Sequence, residues 1–242
     1  MGFDTAASIL NDAAVELGLL QGDSDNPFNE TDVAIMQLCR FLKSLGQDLV
    51  KEHPWTHLQK EHTFNTVAST AAYALPADFD RMVAETHWNR TGQQALLGPV
   101  GPRVWQAQKA QSVDSALRYT FRTVNNEVQL YPTPSAVDAI HFEYISTYWV
   151  RPTAQAAPTT ATPTAATDVI HFDRRLIVTG LKWTWLRNNG FESTAAQQDF
   201  SRLLIQAKGA DGAAPVVRVG GRRHGTPHMI DGCNVPETGF GS

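Results

Sequence analysis

Two cysteines in 242 residues are too few for a disulfide framework, and Cys39 and Cys233 stand far apart in the chain. Both read as reduced thiols of a protein that assembles in a cytosolic environment. Charge is also sparse, with 18% of residues Asp, Glu, Lys or Arg and a formal net charge of −4. So small an imbalance excludes bulk attraction to nucleic acid or to a membrane surface. No apolar run approaches the ~20 residues a membrane-spanning helix needs. The opening Met1-Gly-Phe-Asp-Thr lacks the basic-then-apolar order of a secretory signal. Ala6 stands where a myristoylation motif wants Ser or Thr.

Catalytic and metal signatures are missing too. There is no Gly-x-Ser-x-Gly elbow and no phosphate loop ending in Gly-Lys-Ser/Thr. Gly98-Pro-Val-Gly-Pro102 is glycine-rich, but its prolines remove the amide donors a phosphate cradle requires. His53, His57 and His62 are close in sequence, and four-residue spacing can put two histidines on one helix face for a metal. Pro54 breaks that geometry, and no third spaced ligand supports it. His141 and His171 read as ordinary strand and loop residues. Glu52, Glu61, Glu85 and Glu143 are the carboxylates a glycosidase would draw on, yet nothing local selects a pair to flank a sugar bond. No enzymatic activity, metal or cofactor is expected.

What the chain does have is a globular apolar content, 42% hydrophobic, and enough length to bury a real core. Its pattern changes twice. Residues 4–20 carry a helical stripe of Ala6, Ile9, Leu10, Ala13, Ala14 and Leu17, with Asp4 as N-cap and Gly18 at the end. A polar loop follows, and Asn29 or Thr31 caps a second helix with Val33, Met36, Leu38, Phe41, Leu42, Leu45 and Leu49 on its stripe. Pro54 ends it. From Trp55 to Trp149 the chain reads as short strands and turns. Phe64–Val67 and Ala72–Leu75 are two strands around a turn, and Met82–Trp88 is another. Asn89–Gly92 is a hairpin turn into Gln94–Leu97. A short helix is expected over Pro102–Gln111. Arg118–Val124 and Glu127–Tyr131 flank Asn125-Asn126, residues that tolerate positive φ. Ala139–Trp149 is the longest strand, with Ile140, Phe142 and Tyr144 alternating onto a buried face.

Residues 151–167 hold six Ala, six Thr and three Pro, which reads as an extended, solvated tether. Asp168 or Asp173 then caps a third helix carrying Phe172, Leu176, Ile177, Leu181, Trp183 and Trp185. Gly180 on it allows close approach of another helix, and Asn188-Asn-Gly190 stops it. Ser193 or Thr194 caps a fourth helix that ends at Gly209.

The organisation is α+β. A helical bundle of about four helices, from 1–55 and 168–209, is interrupted by an antiparallel β-domain over 56–150. An extended C-terminal arm runs over 210–242. Residues 1–55 hold nine acids and three bases, and 168–209 hold six bases and four acids. Those segments attract each other inside one bundle or across neighbouring subunits. The arm has seven Gly and three Pro and no helical period. It has too little apolar surface to offset ~1–2 kcal/mol of ordering entropy per residue, so something outside its own fold must hold it, a partner or its own subunit. Its candidate partner-binding residues are the β-prone Val216, Val217, Arg218 and Val219, the pair Arg222 and Arg223, and Met229 and Ile230. Six tryptophans are many for this length. Trp88, Trp149, Trp183 and Trp185 are the candidates for packing between domains or subunits, where aromatics dominate.

Four blocks stand in a fixed order: Tyr73-Ala-Leu-Pro-Ala-Asp-Phe79, Val128-Gln-Leu-Tyr-Pro132, Phe142-Glu-Tyr-Ile-Ser146 and Leu181-Lys-Trp-Thr-Trp185. The first three read as edges of the β-domain and the last as helix. Together with the flanking helices, over about residues 4–209, they resemble the head-to-tail adaptor proteins of short-tailed bacteriophages. That resemblance implies a structural virion protein at the head–tail interface, assembled in the host cytoplasm. It implies a cyclic homo-oligomer of about twelve copies that meets the portal protein and the tail nozzle or tube. Tail fibres are a further candidate partner, and double-stranded DNA would pass through the channel without sequence specificity. The competing classes are a tail-associated peptidoglycan hydrolase and a fibre-docking or host carbohydrate-binding module.

Overall fold

The first helix begins where Thr5 turns its hydroxyl back onto the amide of Ser8, at 3.3 Å. The computed structural model describes residues 3–111 and 118–212. Among them are five α-helices, with antiparallel sheets inserted between the second and fourth. Helix α1 spans Ala6–Glu16, α2 Val33–Glu52, α3 Pro102–Ala110, α4 Arg174–Asn188 and α5 Thr194–Asp211. An α+β chain with a β-insertion in a helical bundle is therefore what the sequence folds into, and α3 belongs to the insertion.

Local chemistry explains the ends. Thr5, not Asp4, caps α1, because Asp4 is drawn toward Arg174 at 3.8 Å. Gly18 takes φ +72° just past the helix. Asp32 caps α2 by accepting the Ala34 amide at 2.7 Å, so neither Asn29 nor Thr31 holds that place. Asp173 caps α4 through the Leu176 amide, and Gly190 with φ +75° follows its end. Ser193 precedes α5, which runs past Gly209 to Asp211.

The bundle core is built from α1, α2 and α4, with α5 laid on α4. Ile9, Leu10, Leu38, Leu42, Leu49, Ile177 and Leu181 are fully enclosed there. Gly180 is needed because a Cβ at that site would stand 2.7 Å from Leu45 and 2.9 Å from Phe200. The acid-rich and base-rich segments meet on this bundle within one copy. Glu16 binds Lys182 at 2.6 Å and Arg175 at 2.9 Å, Asp12 binds Arg174, and Lys208 reaches Glu52 at 2.6 Å.

The insertion packs two sheets over a second core of Leu75, Leu96, Phe121, Val128, Leu130, Ile140, Phe142 and Tyr144. In the larger sheet β1 (Gln59–Asn65) pairs with β8 (Ala139–Ser146), which also pairs with β3 (Phe79–Met82) and β4 (Trp88–Asn89), and β4 with β5 (Gln94–Ala95). The second sheet has the order β2 (Ala72–Ala74), β7 (Glu127–Tyr131), β6 (Thr120–Val124). Asn125 and Asn126, at φ 53° and 59°, make the tight β6–β7 turn. The expected pairing of Phe64–Val67 with Ala72–Leu75 is not made, since β1 joins β8 and β2 joins β7. Likewise Met82–Trp88 is not one strand: the chain turns between β3 and β4, with Glu85 at φ 63°.

The Thr/Ala/Pro stretch is exposed for much of its length but is not a free tether. It loops between β9 (Val150–Arg151) and β10 (Val169–Ile170), which pair with each other. Asp168, buried, accepts the amides of Thr164 and Ala165 at 2.7 and 2.9 Å. The amides of Ala6 and Ala7 donate to Asp168 and Ala166, tying the loop to the start of α1.

Candidate interaction site

Bundle and insertion meet in a joint built mostly by long-range contacts. Trp149, directly after β8, is fully buried in the bundle core, and its ring lies where a side chain on Gly46 would be. Its carbonyl accepts the amide of His171 at 3.0 Å. Trp55 donates its indole N–H to the Leu49 carbonyl at 2.6 Å, and its ring packs edge-on to Phe172. Arg81 on β3 donates to the Val50 and Lys51 carbonyls at 3.3 Å each, placing a cation at the C-terminal end of α2.

The Tyr73–Phe79 block explains itself within the insertion. Tyr73 Oη caps its own turn, accepting the Val67 amide at 3.0 Å and donating to the Thr70 carbonyl at 2.7 Å. Leu75 enters the insertion core. Asp78 is buried and gathers Lys60 at 2.7 Å, Ser146 Oγ at 2.6 Å and Tyr144 Oη at 2.9 Å. Burial pushes its carboxyl up, but the bonds from Lys60, Ser146 and Tyr144 outweigh that and hold it below the usual range. Desolvation and the bond to Asp78 push the Tyr144 phenol well above its ordinary value. The block is a structural clasp between β1, β3 and β8.

A second clasp holds the end of α5. Asp211 accepts the amide and the hydroxyl of Thr56 at 2.9 and 2.7 Å, and His53 Nε2 lies 3.4 Å away. Chain position 212 thus lies beside the entry to β1. His57 and His171 sit nearby against Phe3, and both are held neutral-leaning. Burial lowers His57, and burial together with His57 and Arg151 lowers His171 to about 4. His53 and His57 both approach Asp211, at 3.4 and 4.0 Å, while His62 stands apart against Phe142, and no cluster of metal-ligating side chains occurs among the described residues.

Among the described residues, two surfaces are open: an aromatic one on the bundle and a strand edge on the insertion. On the bundle, Trp183 stacks on Phe200 at 5.4 Å under the guanidinium of Arg187, and Trp185 stacks on Phe191 at 5.5 Å. Both indole N–H groups are buried without a partner, while Phe191 is 57% exposed. Trp88 is half-buried on β4. Ile205, at 71% exposure, lies on the outer, polar face of α5. On the insertion, β1 is an edge strand bonded, among the described residues, to β8 alone. The Thr66 amide bonds Asp138 while the Ala139 carbonyl turns away to Arg90. The alternation therefore aims the backbone groups of Glu61, Thr63 and Asn65 outward.

Of the carboxylates considered for hydrolysis, Glu61 and Glu143 are direct cross-strand partners on the exposed sheet face. Glu61 is bound by His141 and Arg90, which hold its carboxyl below the usual range, and Glu143 by Gln59. Glu52 is engaged by Lys208, and Glu85 sits in a turn. None of the four faces another across a cleft. Val216, Val217, Arg218, Val219, Arg222, Arg223, Met229 and Ile230 lie outside the described residues. The sequence marked Trp149, Trp183 and Trp185, but not Asp78, Arg81 or Asp211, whose partners are remote in the chain.

No helix among the described residues is long and apolar enough to cross a membrane. A search of curated proteins finds no match. The model of one protein family, described as SU10 adaptor protein, matches residues 4–225.

Proposed function

On the premise that this chain belongs to the SU10 adaptor protein family, a family of phage adaptors, we propose that it joins the phage head to its tail as a structural part of the virion. In this reading about twelve copies close head-to-tail into a ring, because a heterologous contact with the right rotation closes. One rim meets the portal protein and the other the tail nozzle or tube, with tail fibres as a further partner. Double-stranded DNA passes through the centre without sequence-specific contact. The task is mechanical, and no chemical step is asked of any residue.

The observation that carries this reading is the family match across nearly the whole chain. The joint supports it. A subunit that transmits force between two partners must not hinge, and here the bundle and insertion are pinned by Trp149, Arg81 and Asp211. The arm is the segment assigned to the portal or an adjacent copy. Because Asp211 belongs to a clasp, the informative truncation ends at Gly212 and not at Gly209. The truncated chain is expected to keep its melting temperature and to fail to co-elute with the portal protein. Normal joining by the truncated chain would refute the arm's role. Failure of the full chain to join any portal ring would refute the adaptor reading.

A further inference from the structure

The free edge of β1 is the longest unpaired strand edge among the described residues of the insertion. Natural proteins shorten, charge or cover such edges, because outward N–H and C=O groups recruit another strand. Among the described residues no strand pairs with the free side of Gln59–Asn65, and these seven residues include no proline. Their side chains alternate between half-buried and exposed. Lys60, His62 and Phe64 lie toward the core face, where His62 is 5.3 Å from Phe142 and Phe64 is 4.7 Å from Tyr73. Glu61 and Glu143 lie together on the other face, where Arg90 is bound to Glu61. An acceptor strand of this kind fits a donor that is apolar on one face and basic on the other.

We propose that β1 is a strand-acceptor site, and that the donor is Val216–Val219 of a second copy of this chain. This rests on the ring reading above and names the surface on which neighbouring copies grip each other. In an extended donor, Val217 and Val219 share one face and extend the apolar side of the sheet beside His62 and Phe64. Arg218 falls on the opposite face, against Glu61 and Glu143. The segment has β-branched residues at three of four positions and no acid. Position also constrains the arrangement. The donor starts four residues after Gly212, a reach of about 14 Å when extended. The acceptor β1 of one copy must therefore lie within that distance of the α5 end of its neighbour. A head-to-tail contact satisfies this from copy to copy, and it closes into a ring where its rotation closes.

Hydrogen exchange of the full chain, resolved to single amides, tests the assignment. It is read in dilute monomer and again in the ring assembled on the portal protein. In the monomer the amides of Glu61, Thr63 and Asn65 are expected to exchange freely, while those of His62 and Phe64 are protected by β8. In the ring, Glu61, Thr63 and Asn65 should slow by at least about a hundredfold. Thr63→Pro removes one outward donor at a position where an edge strand tolerates proline. It is expected to abolish that protection while leaving the monomer folded. Arg218→Glu, which lies outside the described residues, should weaken ring closure, and Glu143→Arg in the same chain should restore it. A ring that forms with unprotected Glu61, Thr63 and Asn65 overturns this inference and leaves the adaptor reading intact. Protection already complete in the monomer overturns the assignment to a second copy. Absence of any ring overturns both.

Discussion

Gly46→Ala probes the joint directly. A Cβ built on Gly46 stands 2.1 Å from Cζ2, 2.3 Å from Cη2 and 2.5 Å from Cε2 of Trp149. These are ring atoms of a fully buried residue, wedged against Phe172 at 5.9 Å and held at its carbonyl by His171. The ring has no solvent side to move into, so the methyl must displace α2 from the core. Such overpacking costs about 1–3 kcal/mol, and more where nothing yields. Replacing a mid-helix glycine by alanine works the other way, by about 1 kcal/mol. With contacts this short the steric effect wins, leaving a net loss of about 2 kcal/mol. At roughly 2–4 °C per kcal/mol for a chain of this size, the melting temperature should fall by about 4–8 °C. Circular dichroism and urea titration read this in parallel. In a Trp149→Phe background, which removes the contacting atoms, Gly46→Ala should become neutral or stabilising, a coupling of about 2 kcal/mol. A rise in stability from Gly46→Ala in the parent would show that Trp149 does not occupy the notch between insertion and bundle.

Three further outcomes follow from the same geometry. Asp78→Asn should cost about 2–3 kcal/mol, because Lys60 loses its charged partner and one of the two hydroxyls, Tyr144 on Oδ1 or Ser146 on Oδ2, then faces an amide donor in place of an acceptor. Asp78 has a depressed folded pKa, so its contribution is present above the unfolded carboxyl range near 4 and is lost as pH falls through the folded value. Urea midpoints measured from pH 6 to 2 should show a drop in the parent that Asp78→Asn flattens. His171 shifts the other way for its class: with a folded pKa of about 4, the unfolded chain binds its proton first. Stability is full above the ordinary histidine range near 6.5 and declines as pH falls from there to about 4. His171→Phe, which keeps the stack on Phe3, should reduce that decline in a pH series of thermal melts. Glu16→Gln removes two exposed ion pairs, to Lys182 and Arg175, and should cost less than about 1 kcal/mol, an effect that 1 M salt erases.

The helical half of the fold was legible because its signals are local. The stripe of Ile9, Leu10, Ala13 and Ala14, the stop at Pro54 and the positive φ at Gly190 each follow from a few neighbouring residues. Asn125-Asn126 announced the β6–β7 hairpin for the same reason. Strand pairing was less legible where neighbours in sequence part company. Phe64 and Ala72 are separated by one short turn yet join different sheets, because Lys60 and Tyr144 are both drawn to Asp78. The Thr/Ala/Pro stretch looked like a tether because composition does not reveal that Asp168 folds it back on itself. The clasp of Asp211 on Thr56 spans 155 residues and carries no local signature. At the interaction surfaces, aromatic excess pointed to Trp149 and Trp183. It did not distinguish the enclosed Trp149 from the half-buried Trp183, a difference set by whether Gly46 or Phe200 lies opposite.

The account stands on the chain being one repeated part of a ring that completes itself on other molecules. Native mass spectrometry of the full 26.6 kDa chain, alone and with a phage portal ring, measures this most directly. The predicted result is a single complex carrying a fixed number of copies, equal to or a multiple of the portal's symmetry. A chain that stays a monomer beside the portal at every concentration, or binds it in scattered stoichiometry, would contradict the account.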